Sequence, residues 1–112
     1  MTPFSLFSFR RNKRLTKKKQ FLEMYAHGTK STVGPLLVHR KSNSIGHARL
    51  GISVPRRVGN AVIRNTIKRR CREAFRTSIE KLPANIDILV TVRPHSPLQT
   101  QEYASLLRKG TS

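Results

Sequence analysis

The sequence predicts a single α+β domain in which helices pack on a small sheet, and three stretches carry that expectation. Residues 58–82 repeat small and apolar side chains at helical spacing. Residues 47–54 alternate as a half-buried strand, and residues 87–93 form a nearly continuous apolar strand suited to mid-sheet burial. Strand, helix, strand in that order implies parallel pairing through a helical crossover. A chain of 112 residues, 37% hydrophobic and without tryptophan, has room for one modest core. No internal repeat and no dividing linker interrupts it.

The central stretch, VGNAVIRNTIKRRCREAFRTSIEKL, organises the rest. On a helix, Ile63, Ile67, Cys71, Ala74, Phe75 and Ser78 make one packed stripe. Arg64, Lys68 and Arg72 fall at i, i+4 and i+8 beside it, and Asn65, Arg69 and Arg76 carry charge around the outer face. Like charges one turn apart destabilise an isolated helix by roughly 0.2–0.5 kcal/mol per pair. Only Glu73 and Glu80 offset them, so the helix depends on its packed face. A single cationic run is most often just a solvated surface. This one is arginine-rich and follows an Arg56-Arg57-Val58-Gly59-Asn60 turn, and guanidinium forks fit phosphate oxygens two at a time.

Residues 1–15, in which Phe4, Phe7 and Phe9 precede Arg10, Arg11, Lys13 and Arg14, are expected to be a basic, flexible tail. Residues 16–112 form the folded domain. Thr16 is the expected cap of a first helix over 17–26, closed by Gly28. Phe21 and Tyr25 lie one turn apart, and spacing alone reads both as core. Residues 35–40 and 47–54 read as an antiparallel hairpin around the Asn43–Gly46 turn. In the second strand Ala48, Leu50, Ile52 and Val54 face one way, and Arg49, Gly51 and Ser53 the other. Pro83 closes the central helical region. Thr100 is the expected cap of a last helix that buries Tyr103, Leu106 and Leu107 and ends at Gly110.

Charge decides the class of partner. Lys and Arg number 23 against 5 acids, a formal net charge of +18. Self-repulsion of that size points to a polyanion. No apolar run approaches the ~20 residues of a membrane span, and the N-terminus lacks the order of a secretory signal. Cys71 is the only cysteine, which excludes a disulfide framework and a thiolate zinc cluster; a cytoplasmic protein is expected. The five acids are scattered, the histidines lack metal-ligand spacing, and no phosphate-cradling glycine loop or nucleophile elbow is present. These residues describe a nucleic-acid-binding module without catalytic residues of its own, with no small-molecule substrate. RNA is favoured because the basic helix is core-packed along its length rather than projected as a recognition helix.

The run Arg64-Asn65-Thr66-Ile67-Lys68-Arg69-Arg70-Cys71-Arg72-Glu73-Ala74-Phe75, after Val58-Gly59-Asn60-Ala61-Val62, resembles the signature of the bacterial ribonuclease P protein component. The resemblance extends to Arg14-Leu15, to Phe21…Tyr25…His27-Gly28, to Arg49-Leu50-Gly51-Ile52-Ser53-Val54 and to Val92-Arg93-Pro94. It implies an α/β sandwich in α-β-β-β-α-β-α order, with a left-handed βαβ crossover against the usual right-handed rule. It also implies a fourth short strand that the pattern alone does not place. The implied partners are a catalytic RNA and precursor tRNA, with magnesium bound mainly by the RNA. Arg56, Arg57, Asn60, Arg64, Asn65, Lys68, Arg69 and Arg72 are the implied RNA-binding residues. Phe21, Tyr25, His39, Arg49 and Ser53 are the implied lining of a cleft for the single-stranded 5′ leader. His39 departs from the pattern, because relatives often carry an aromatic there. Two rival classes are a ribosomal or other structural RNA-binding protein, which requires no aromatic cleft, and a sequence-specific DNA binder, which requires base-reading side chains on a projecting helix.

Overall fold

The computed structural model describes residues 18–111; the tail over 1–15 and the Thr16 cap lie outside them. Helix α1 spans Lys18–His27 and closes where the Gly28 N–H donates to Met24 O at 2.8 Å. Strands β1 (Thr29–Val33), β2 (Leu36–Ser42) and β3 (Arg49–Ser53) follow. A 3-10 turn at Arg56–Val58 leads into helix α2 (Ala61–Ser78), and a second at Ile79–Lys81 leaves it. Strand β4 (Ile86–Val92) and helix α3 (Thr100–Thr111) complete the chain. The element order is the one the resemblance implies.

The sheet order is β1-β2-β4-β3, which corrects the expected hairpin. The strands around Asn43–Gly46 do not pair with each other, because β4 lies between them. It runs antiparallel to β2 and parallel to β3. The physical reason is burial: six of the seven β4 residues are buried, so this strand belongs at the centre, flanked on both edges. The 43–48 loop therefore crosses the start of β4, where the Asn43 N–H donates to Asn85 O at 2.8 Å. The true hairpin is β1–β2, joined by Gly34-Pro35 with Gly34 at φ 56°. Strand β1 is the missing fourth strand. Its sequence, TKSTV, lies on the sheet edge with little burial, so no apolar alternation betrays it.

The pleat sorts the sheet into two faces. Leu36, Val38, Leu50, Ile88, Val90 and Val92 join the main core with Ile67, Cys71, Ala74 and Phe75 of α2 and Tyr103 and Leu107 of α3. The opposite face carries Leu89, which meets Met24 and Phe21 of α1. Helices thus cover both faces, and the packed stripe expected on α2 is buried apart from the half-buried Ile63. Two expectations for α3 are corrected. Thr100 is its first helical residue, with Gln99 O accepting from the Glu102 and Tyr103 N–H groups. Gly110 does not end it but lies buried within it, and a Cβ there would come within 2.9 Å of Val38 Cγ2. The glycine serves close approach of helix to sheet rather than termination.

Candidate nucleic-acid interface

The first surface is the outer face of α2 and the turn before it. Asn60 caps the helix: its Oδ1 accepts from the Ile63 N–H at 3.0 Å. One of its polar atoms is therefore committed to the fold. Arg64 Nε donates to Gly59 O at 3.1 Å and ties the turn to the helix. Arg56, Arg57, Asn65, Arg69 and Arg72 are exposed, and Lys68 is half-buried along the same helix. Two further arginines of α2 have partners within the chain. Arg70 donates to Leu98 O at 2.8 Å, and Arg76 pairs with Glu73, which lowers the Glu73 pKa through their hydrogen bond. Leu98 is held from the other side by Tyr103, whose hydroxyl accepts the Leu98 N–H at 3.1 Å and lies 2.8 Å from His95 Nε2. That network pins the segment after β4 against α2.

The second surface is the sheet face beneath α1. Alternation puts Leu37, His39 and Lys41 of β2, Asp87, Leu89 and Thr91 of β4, and Arg49, Gly51 and Ser53 of β3 on this side. Phe21 is half-buried against Met24 and Leu89, whereas Tyr25 is 48% exposed. The Tyr25 ring meets the His39 ring edge-on, with centroids 5.0 Å apart, and its hydroxyl lies 3.5 Å from Thr91 Oγ1. His39 is 6% exposed, and its Nδ1 has no hydrogen-bond partner among the described residues. Burial, followed by the Lys30 charge, lowers its pKa. His39 therefore lies behind Tyr25 rather than offering an open stacking face. Gly51, between Arg49 and Ser53 on this face, is buried.

The five candidate cleft residues do not form one group. Met24 sits over Leu89, so α1 crosses the middle of the strands and divides this face. Ser53, in register with Thr91, lies on the Tyr25 side. Arg49, in register with Asp87 four residues away along β4, lies on the other. There Arg49 forms a two-pronged pair with Asp87, Nε to Oδ1 at 2.8 Å and Nη2 to Oδ2 at 2.7 Å. Asn43 Nδ2 adds a third bond to Asp87 Oδ1 at 2.8 Å, and Lys41 pairs with Glu23 at 2.6 Å.

Sequence reasoning missed Thr91, Asp87, Lys41 and Glu23 as parts of this face. Parity along β4 was an available signal: Asp87 and Thr91 put polar groups at both ends of the face whose middle is Leu89. Among the described residues no group of three or more His, Cys, Asp or Glu side chains could hold a metal ion. No helix there is long and apolar enough to cross a membrane.

Comparison with known proteins gives a consistent result. The family profile described as Ribonuclease P matches residues 9–111. The ribonuclease P protein component of Syntrophus aciditrophicus (strain SB) is 30% identical over 102 residues, covering 91% of this chain and 84% of that one. That of Clostridioides difficile (strain 630) is 36% identical over 89 residues, covering 79% and 78%. Among solved structures, the Staphylococcus aureus RNase P protein superposes with a TM-score of 0.74 at 33% identity, covering 88% and 91% of the two chains. The Thermotoga maritima RNase P protein superposes with a TM-score of 0.76 at 28% identity, covering 86% and 96%. With the α-β-β-β-α-β-α order and the arginine-rich α2 already in place, the chain belongs to the ribonuclease P protein family.

Proposed function

We propose that this chain is the protein subunit of ribonuclease P, binding the catalytic RNA through α2 and holding the 5′ leader of precursor tRNA beside α1. The observation that carries the reading is the separation of two surfaces by the sheet. Arg56, Arg57, Arg64, Asn65, Lys68, Arg69 and Arg72 decorate a helix packed on one face, while Phe21, Tyr25 and Ser53 lie on the other. A structural RNA-binding protein needs the first surface and has no use for the second. Arginine forks on α2 neutralise phosphates of a folded RNA. The exposed Tyr25 ring offers a stacking platform for an unpaired base.

The chain's own acids do not fit a metal-held catalytic centre. Glu23, Glu73 and Asp87 are each paired with a cation, and no step of the chemistry is routed through them. Magnesium belongs with the RNA subunit, which in this reading supplies the hydrolytic centre, and the protein supplies phosphate neutralisation and leader positioning. The test is stimulation of precursor-tRNA cleavage by a bacterial ribonuclease P RNA at low magnesium, with and without the chain. An Arg64→Ala, Lys68→Ala, Arg72→Ala variant should flatten the dependence of log K on log[salt] for the RNA subunit, by roughly 0.7–0.9 per lost phosphate contact. A slope equal to wild type would exclude this face as the binding surface.

A further inference from the structure

Lys41, Asp87 and Arg49 stand in one row across the neighbouring strands β2, β4 and β3. The carboxylate in the middle is committed to other partners: Asp87 takes both prongs of Arg49 and the Asn43 amide. Lys41 is left to a different partner, Glu23 of α1, at 2.6 Å. Their side chains are 34% and 50% exposed, so this pair is open to solvent where the Arg49–Asp87 pair is largely enclosed. A polar cavity of about 500 Å³ opens beside them, lined by Glu23, Lys41, Asn43, Ser44, Arg49 and Asp87. Glu23 is the only acid on α1, on a helix that begins with two lysines, in a chain with 23 cations and 5 acids.

We propose that this cavity is a phosphate subsite for single-stranded RNA and that Glu23 is its built-in counter-ion, which a phosphodiester displaces from Lys41. The inference rests on the leader reading above and extends it to the far side of α1, about 13 Å along the strands from Tyr25 at four residues of strand rise. Chemistry supports the exchange. An exposed lysine–carboxylate pair is weakly held. A phosphate oxygen is as good an acceptor for an ammonium as a carboxylate oxygen. Arg49 stays in place because Asp87 grips it with two bonds, so it forms a fixed wall and Lys41 is the group that changes partner. Glu23 then tunes affinity: while it occupies Lys41, a phosphate gains no free cation there, and the exchange releases few counterions.

The experiment is binding of a short single-stranded RNA oligonucleotide to the full chain, read by fluorescence anisotropy between 50 and 200 mM salt. Glu23→Gln should bind several-fold more tightly. Its log K against log[salt] should be steeper by about 0.7, which is about 2.6-fold over that salt range. Adding Lys41→Gln should abolish the gain and return affinity to that of Lys41→Gln alone. Glu102→Gln, an exposed acid on α3, controls for net charge and should give a smaller change. A Glu23→Gln variant that binds like wild type, that gains no more than Glu102→Gln, or that keeps its gain without Lys41 would overturn the proposal. Tyr25→Ala separates it from the reading on which it rests, because the Tyr25 ring is 48% exposed and lies outside the small core beneath α1. Weaker binding in Tyr25→Ala without Glu23–Lys41 coupling sinks the subsite and leaves the aromatic cleft. Coupling with unchanged Tyr25→Ala binding sinks the cleft and leaves the subsite.

Discussion

Tyr25→Ala is the sharpest test of the leader cleft, because the fold gives it little reason to fail structurally. The ring is 48% exposed, and its main contact is the edge-on meeting with His39 at 5.0 Å. Such an aromatic contact is worth about 0.5–1.5 kcal/mol beyond the area it buries. The hydroxyl adds little, since 3.5 Å to Thr91 Oγ1 is the outer limit of a hydrogen bond. The expected cost to folding is therefore about 1–2 kcal/mol. Stacking of an unpaired base is worth about 1–3 kcal/mol per aromatic, or roughly 5- to 150-fold in affinity. Phe21→Ala is a poorer probe, because Phe21 packs against Met24 and Leu89 and its removal also opens the small core beneath α1. The assay is affinity of the reconstituted holoenzyme for precursor tRNA as a function of leader length, beside a melting curve. Tyr25→Ala should lose its preference for long leaders while binding mature tRNA as wild type does, and Tyr25→Phe should keep most of that preference. A folded Tyr25→Ala protein that distinguishes long leaders from absent ones as well as wild type would refute the assignment.

Three further outcomes are expected. Because burial, and then Lys30, lower the His39 pKa from its ordinary 6.5, the unfolded chain binds a proton that the folded chain refuses. Stability from this group is complete above about pH 6.5 and is lost as pH falls through the folded pKa; a His39→Phe variant, compared by urea midpoints, should lack that component. Cys71 is buried in the main core with its pKa pushed up to about 12, so a thiol reagent near neutral pH should label it only after unfolding. Rapid labelling of the native protein would place the thiol elsewhere. Gly110→Ala puts a Cβ 2.9 Å from Val38 Cγ2 and 3.2 Å from Val33 Cγ2, and should cost about 1–3 kcal/mol in a denaturant titration; an unchanged midpoint would mean that α3 can lift off the sheet freely.

The sequence by itself determined the features governed by local periodicity and net charge. The α2 stripe of Ile67, Cys71, Ala74, Phe75 and Ser78, the Asn60 cap and the central apolar strand were all legible, because helix period, capping chemistry and a run of β-branched residues act over neighbouring positions. So was the exposed cationic face beside that stripe. The tertiary structure decided what depends on partners far apart in the chain. Strand β1 is a polar edge strand stabilised by pairing with β2, and its clearest local trace is the Gly34-Pro35 turn. The 35–40 and 47–54 segments look like a hairpin until the stronger claim of β4 on the sheet centre separates them. Gly110 looks like a helix end because glycine usually disrupts helices, and only the nearness of Val38 shows why it lies inside one. The division of the α1 face is of the same kind. Arg49 and Ser53 share a strand face by parity, but the path of α1 over Leu89 sets them on opposite sides, one gripped by Asp87 and the other beside Thr91. Parity is a property of one strand; which helix crosses it, and where, is fixed only when the whole core closes.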